Sequence, residues 1–362
     1  MASIKNNLAH LRFIQRKPLV MLRIINGFFR TIILRKNTLR SVDWAMTYRC
    51  NFNCQYCSAK DLQEHTVKTA ELSVDEIKKI GREASALGAI HFNLTGGEPT
   101  LRGIETLCAI IRSLRPKQHL ISMVTNASLL KKEDIKKLKD AGLDTIQLSI
   151  ESVDPQVHDT IRRTVDNHNK ILEVMQWAKA QKLNICLSGV LTRHNFHDMQ
   201  KLIDFARKEK VFFLINLASS SGNWKSNDDV KLTTADLKAY YALFKEGHVR
   251  TDTILNFRGR SGCPAGVERI YISANGEVMT CPHVQVSYGN VRTEPLAKIY
   301  YRISHFPVLK KFEKHCRHVF NKAYIQDYVY PQKHASRLPV SIFDLKTVKE
   351  HKELQEFLDS TK

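Results

Sequence analysis

Residues 42–57 read Val-Asp-Trp-Ala-Met-Thr-Tyr-Arg-Cys-Asn-Phe-Asn-Cys-Gln-Tyr-Cys. The first seven, Val42–Tyr48, have the length and the apolar, aromatic content of a buried strand. Directly after them come Cys50, Cys54 and Cys57, three thiols within eight residues. On spacing alone two readings stand. The three thiolates hold three corners of an iron–sulfur cluster and leave the fourth iron open to a substrate. Alternatively, they hold a structural zinc with a fourth ligand such as His65.

Outward from this loop, short apolar runs alternate with helical stretches. The further strands expected are Ile90–Thr95, Leu120–Thr125, Thr145–Ile150, Asn184–Leu191 and Val211–Leu217. Between them, helices are expected near Ser73–Leu87, Ile104–Leu114, Lys131–Ala141, Asn167–Gln181 and Met199–Glu209. Ser73 with Glu76 forms a capping-box pattern at one helix start. Six β–α alternations predict a parallel sheet with right-handed crossovers. Six are too few for a closed eight-stranded barrel, so an open, partial barrel is expected, with its site at the C-terminal strand ends. Directly after the second strand stands Thr95-Gly96-Gly97-Glu98-Pro99-Thr100. Its glycines let backbone approach a ligand closely, and Glu98 can accept hydrogen bonds from an amine.

Together these features resemble the radical S-adenosylmethionine (radical SAM) enzymes. The Cys-x3-Cys-x2-Cys spacing, Tyr56 before the third cysteine and the Gly-Gly-Glu-Pro turn one strand later carry the resemblance. It extends over roughly residues 42–217, through Thr125-Asn126-Ala127, Ser149-Ile-Glu-Ser, His158-Asp-Thr-Ile-Arg162 and Val190-Leu-Thr-Arg-His-Asn195. It implies that Cys50, Cys54 and Cys57 hold a 4Fe–4S cluster whose fourth iron is chelated by SAM. Gly96, Gly97 and Glu98 would receive the methionyl amine, Tyr56 would lie near adenine, and Ser149 would bond the ribose or methionyl part. Arg162 would pair with the methionyl carboxylate, and Asn126 is a further contact. It also implies reductive cleavage of SAM to a 5′-deoxyadenosyl radical that abstracts hydrogen from a substrate. The electron would come from a donor such as flavodoxin or ferredoxin.

Farther on, Cys263-Pro-Ala-Gly, Gly276-x4-Cys281, Gly289-Asn290 and Cys316 resemble the auxiliary-cluster domain called SPASM, or its shorter form, Twitch. A hairpin is expected over Arg269–Ser273 and Glu277–Thr280, with Asn275-Gly276 at the turn, returning Cys281 beside Cys263. A two-cluster SPASM domain needs more cysteines than remain after Cys281. The resemblance therefore implies one auxiliary 4Fe–4S cluster on Cys263, Cys281 and Cys316, with His283, His315 and His318 as nearby options for the fourth iron. Cys108 and Cys186 read as core residues.

The remaining composition bounds partners. The 362 residues carry 56 Lys plus Arg against 36 Asp plus Glu, a net charge of +20. Hydrophobic residues at 43% and charged residues at 25% describe an ordinary folded chain rather than a disordered or collagen-like one. No uncharged apolar run reaches the ~18 residues of a transmembrane helix, and no secretory signal stands out. Eight cysteines in that setting point to a reducing, cytoplasmic location and to metal chemistry rather than disulfides. Residues 1–40 hold nine basic residues and no acid. Within 8–35, Arg16, Arg23 and Arg30 form one helical stripe, while Leu22, Ile25, Phe29 and Ile32 form another. Three readings follow: a helix docked on the protein itself, an interfacial helix with its basic face on anionic membrane, or a transit peptide.

The expected fold class is α/β, a partial (β/α)6 TIM-like barrel with a small C-terminal α+β Twitch-like domain. The divisions are a basic amphipathic segment (1–40), the barrel (41–220), a linker with one helix near Thr233–Glu246 (221–255), the auxiliary-cluster domain (256–320) and a tail (321–362). The substrate class stays open among peptide, lipid and carrier-linked small molecule, and nucleic acid is disfavoured. The alternative function is a non-catalytic zinc or iron–sulfur module with a basic surface for nucleic acid or membrane.

Overall fold

The computed structural model describes residues 17–66, 70–245, 247–251 and 254–362. Seven parallel strands run in sequence order: β1 (Ser41–Thr47), β2 (His91–Gly96), β3 (Leu120–Thr125), β4 (Thr145–Ser149), β5 (Asn184–Leu191), β6 (Phe212–Leu217) and β7 (Val249–Thr251). Helices lie between consecutive strands over the first six, including Val74–Leu87, Ile104–Ser113, Lys132–Ala141, Asn167–Ala180 and Phe196–Lys208. The open sheet of a partial barrel is thus confirmed, with strand limits mostly within a residue of those expected.

The sheet does not stop at β1. Strand β8 (Arg269–Ile272) pairs in parallel with β1, Ser41 against Arg269 and Val42 against Ile270. Strand β9 (Val278–Met279) returns antiparallel on β8, completing a nine-stranded sheet. The expected hairpin is present, but its first strand extends the barrel sheet rather than forming a sheet of its own. Strand β7 was not anticipated. It is three residues long, too short to leave a hydrophobic period.

Pleat alternation sorts each strand into two faces. Val42, Trp44, Phe92, Leu94, Ile121, Met123, Ile146, Leu148, Phe213 and Ile215 are buried in the main apolar core. Their alternating neighbours Asp43, His91, Asn93, Ser122, Gln147, Ser149 and Asn216 line an interior cavity. The inner face thus carries a set of polar side chains, with Val124, Val190 and Leu214 as apolar members of the same lining.

The start of the expected linker (221–255), with Ser219 and Ser220 just before it, is instead seated against the cysteine loop. Ser219, Ser220, Ser221 and Gly222 are buried. Their polar groups find partners: Gly222 N donates to Asp61 Oδ2 at 2.9 Å, Ser219 Oγ meets His283 Nδ1 at 3.0 Å, and Ser220 Oγ donates to Asp228. The helix expected near Thr233–Glu246 is a 3₁₀ turn, a helix at Leu237–Ala242 and a second 3₁₀ turn. The tail is integrated as well: Tyr324 and Tyr328 are buried, and Val340 pairs with Val286. The tail ends in two short helices, Lys346–Glu350 and Lys352–Asp359.

Helix α1 (Pro18–Phe28), continued by a π-type turn at Phe29–Ile33, lies at the opposite end of the barrel from the cysteines. Arg23 donates to Ser85 O at 2.6 Å and Ala89 O at 3.0 Å, just before β2. Lys17 pairs with Asp144 at 2.6 Å, just before β4. Arg23 and Arg30 thus turn toward the protein, opposite to the orientation the membrane reading assumed. Arg16, the third member of that stripe, lies outside the described residues.

Candidate active site

The C-terminal ends of the strands open onto one cavity of about 380 Å³. Cys50, Cys54 and Cys57 line it from the loop after β1. Cys263, Cys281 and Cys316 line the same cavity from the C-terminal segment. No local pattern relates the two triads. The fold does: β8 runs in parallel beside β1, and the C-terminal segment around it brings Cys263, Cys281 and Cys316 to the same cavity.

Burial pushes the Cys57 thiol up to about 11 and the Cys50 thiol up to about 12, with neighbouring thiols adding to the rise. A thiol of that kind gives up its proton when a metal replaces it, so metal loading is coupled to proton release. The donor set suits iron–sulfur ligation: soft thiols facing a partly enclosed space. Among the described residues, no three His, Cys, Asp or Glu side chains are placed to hold a single metal ion.

Gly96 and Gly97 line the cavity, but the room they provide is taken by protein. A Cβ on Gly96 would sit 2.2 Å from Thr47 O, where φ is +128°, and one on Gly97 would sit 2.2 Å from Arg49 O. Gly97 N donates to Thr47 O at 2.8 Å and Glu98 N to Arg49 O at 2.9 Å. The glycines let the end of β2 clasp the chain leading into the cysteine loop.

Glu98 departs from the expectation of a direct amine contact. It is 1% exposed and does not line the cavity. Oε1 accepts from Thr100 N, Thr100 Oγ1 and Thr125 Oγ1, and Oε2 accepts from Asn126 N at 2.8 Å. Those bonds tie the ends of β2 and β3 together behind the wall. Asn126 does line the cavity and donates through Nδ2 to Asn51 Oδ1 at 3.0 Å. Ser149, Tyr56 and Arg162 also line it.

Arg162 has a carboxylate partner within the chain, Glu151, at 3.0 Å. Glu151 also accepts from Tyr56 Oη and, at 3.0 Å, from Val190 N. Arg162 lies 3.9 Å from Cys54 Sγ and 5.7 Å from the Tyr56 ring centre. Glu151 stands inside the quoted Ser-Ile-Glu-Ser stretch, yet its role follows only from the fold. Trp224, 5.7 Å from the Tyr56 ring, completes that wall, and Asn223 N donates to Cys57 O at 3.1 Å. Neither was anticipated, because both lie in the polar stretch read as linker.

On the other wall, Cys316 Sγ is 3.2 Å from His318 Nδ1, and His318 stacks on His283 at 4.7 Å. Both rings line the cavity, whereas His315 does not and instead meets Tyr241. His318 Nε2 is buried without a partner. On the floor, Asn93 Nδ2 donates to Asp43 Oδ1 at 3.1 Å, Ser122 Oγ to Asn93 Oδ1 at 2.7 Å, and Arg269 faces Asp43 at 3.7 Å. The strands' polar alternation could have announced this floor.

Residues 44–206 match the model of the radical SAM superfamily, and residues 263–319 match that of the SPASM iron-sulfur cluster-binding domain. The PqqA peptide cyclase of Bradyrhizobium diazoefficiens is 30% identical over 161 residues, 44% of this chain and 41% of that protein. This chain therefore spans about two fifths of that relative's length. The AdoMet-dependent heme synthase of Methanosarcina barkeri is 23% identical over 315 residues, 78% of this chain and 88% of that one. Streptococcus suis SuiB, solved with its precursor peptide SuiA, shares the fold with a TM-score of 0.61 at 16% identity, over 76% of this chain and 66% of that one. Sequence motifs, fold and family models agree: the chain belongs to the radical SAM superfamily and carries a C-terminal SPASM-type iron–sulfur domain.

Proposed function

We propose that this chain catalyses hydrogen abstraction from a polar substrate in the cavity between its two cysteine triads, a peptide side chain being the favoured class. The carrying observation is that all six cysteines line one cavity. A substrate there lies against both metal sites at once. Support for a peptide comes from the polar floor and from relatives named for peptide substrates.

When bound, the 4Fe–4S cluster and SAM supply one-electron cleavage of the sulfonium and a 5′-deoxyadenosyl radical that takes hydrogen from substrate. Cys50, Cys54 and Cys57 would hold that cluster. Tyr56, Asn126, Ser149, Arg162 and the backbone of Gly96 and Gly97 form the SAM wall, and Glu98 positions it from behind. Cys263, Cys281 and Cys316 would hold one auxiliary 4Fe–4S cluster, with His318, 3.2 Å from Cys316 Sγ, available as a further donor. Asp43, Asn93, Ser122 and Gln147 orient the substrate from the floor. Residues 41–220 carry the radical chemistry, and 256–320 close the cavity over it. A small electron-transfer protein such as ferredoxin or flavodoxin delivers the electron.

The test is anaerobic reconstitution with iron analysis and a dithionite assay for 5′-deoxyadenosine. About eight iron per chain is expected for two four-iron clusters. Replacing Cys50, Cys54 and Cys57 with Ala abolishes deoxyadenosine. Replacing Cys263, Cys281 and Cys316 halves the iron and leaves deoxyadenosine formation in place. Zinc without deoxyadenosine would overturn the proposal in favour of a non-catalytic module.

A further inference from the structure

Seven of the thirteen exposed large hydrophobic residues among the described ones lie between Leu19 and Leu34. Leu22, Ile25, Phe29, Ile32 and Ile33 are 61, 58, 50, 55 and 63% exposed. The opposite face is firmly seated. Val20 is fully buried, and a Cβ on Gly27 would sit 2.4 Å from the Phe257 ring. The apolar stripe is therefore held outward by a rigid mount, and a patch of this kind on a stable surface marks an interaction site.

Charge selects the occupant. A small cavity of about 100 Å³ between the helix and the barrel is lined by Arg23, Asn26, Arg30 and Thr38 against Ser85, Ala86 and Gly88, with no carboxylate. Arg23 Nε is buried without a partner, while its Nη2 donates to Ser85 and Ala89. Arg35 and Lys36 are exposed at the end of the stripe, and residues 1–40 contain no acid. An apolar stripe edged by guanidiniums matches a surface that is apolar within and anionic at its rim.

We infer that α1 and its π-type turn seat this end of the barrel on an anionic lipid bilayer, with the apolar stripe among the acyl chains and a lipid phosphate in the Arg23–Arg30 cavity. This orientation inverts the usual interfacial helix, whose polar face points to water; here that face is bound to the barrel. The mount lies at the opposite end from the cysteines, so it anchors the protein without delivering substrate to the cavity. The inference does not depend on the catalytic reading.

The test is flotation of the full chain with vesicles of phosphatidylcholine alone, and with phosphatidylglycerol added, at low and high salt. Binding to the anionic vesicles is expected, weakened by salt as screening removes the headgroup attraction. The double variant Phe29→Glu/Ile32→Glu should weaken partitioning by at least about tenfold. Its melting temperature should be unchanged, because both side chains are exposed. Arg35→Gln/Lys36→Gln should reduce the preference for anionic vesicles. Failure to float with either vesicle, or flotation unaltered by the Glu substitutions, overturns the inference. A dimer that the same substitutions dissociate, seen by sedimentation, reassigns the face to a second copy. Protection of the stripe from hydrogen exchange that is lost on removing residues 1–16 reassigns it to the start of the chain.

Discussion

Replacing Glu151 with Gln removes the negative charge facing Arg162 while keeping the shape of the side chain. The two groups are 3.0 Å apart, with side chains only 4 and 9% exposed. At an effective dielectric of about 20, two unit charges at that distance attract by about 5.5 kcal/mol. A Gln oxygen keeps part of that attraction as a neutral hydrogen bond, so the expected cost is about 3 kcal/mol, at the low end for breaking a buried pair. The pair is not symmetric. After Arg162→Met, Glu151 retains Tyr56 Oη and Val190 N as donors. After Glu151→Gln, the guanidinium has only Cys54 Sγ at 3.9 Å and the Tyr56 ring to face its charge. Glu151→Gln should therefore be the more damaging single change, and the double variant should cost less than the sum of the two. Thermal melts of the reconstituted protein, wild type and three variants, measure this. A cost for Glu151→Gln below about 1 kcal/mol, or strict additivity in the double variant, would refute the reasoning.

Gly97→Ala should cost about 1–3 kcal/mol, because its Cβ meets Arg49 O at 2.2 Å and Tyr48 O at 2.6 Å and backbone has little room to move. The cysteine loop should be displaced with it, so iron per chain should fall; unchanged iron content would contradict the clasp. A pH test bears on the other end of the barrel. Burial, with Arg23 adding to it, lowers His119 from 6.5 to about 4. Its folded form stays neutral where the unfolded chain takes up a proton, so its contribution is complete above pH 6.5 and is lost as pH falls toward 4. That makes the protein about 2 kcal/mol less stable at pH 5 than at pH 7 from this group alone. His119→Asn should flatten that slope in melts at the two pH values, and an unaltered slope would assign it elsewhere.

Periodicity and turn chemistry are local, and what depends on them was legible in the sequence. Strands Leu120–Thr125 and Asn184–Leu191 fall where expected to the residue. The capping box at Ser73 and Glu76 is formed, with Glu76 N donating to Ser73 Oγ at 3.2 Å. All six site cysteines line the expected end of the barrel. These features need only a strand's alternation, a helix's cap or a loop's spacing. Glu98 was legible as important but not in its role, since its four donors come from residues 100, 125 and 126 converging in space.

Only the tertiary structure decided what joins distant segments. That Arg269 lies opposite Ser41, that Ser219–Gly222 are buried despite a linker-like composition, and that Glu151 answers Arg162 all depend on which surfaces meet. The N-terminal helix is the clearest case. Its two stripes are plain in the sequence, but a helix with one basic and one apolar face can dock by either. Carbonyls at Ser85, Ala86 and Ala89, at the barrel's end, accept Arg23 and Arg30 and hold the apolar stripe outward. No local pattern carries that choice, because the acceptors that make it lie more than fifty residues away in the chain.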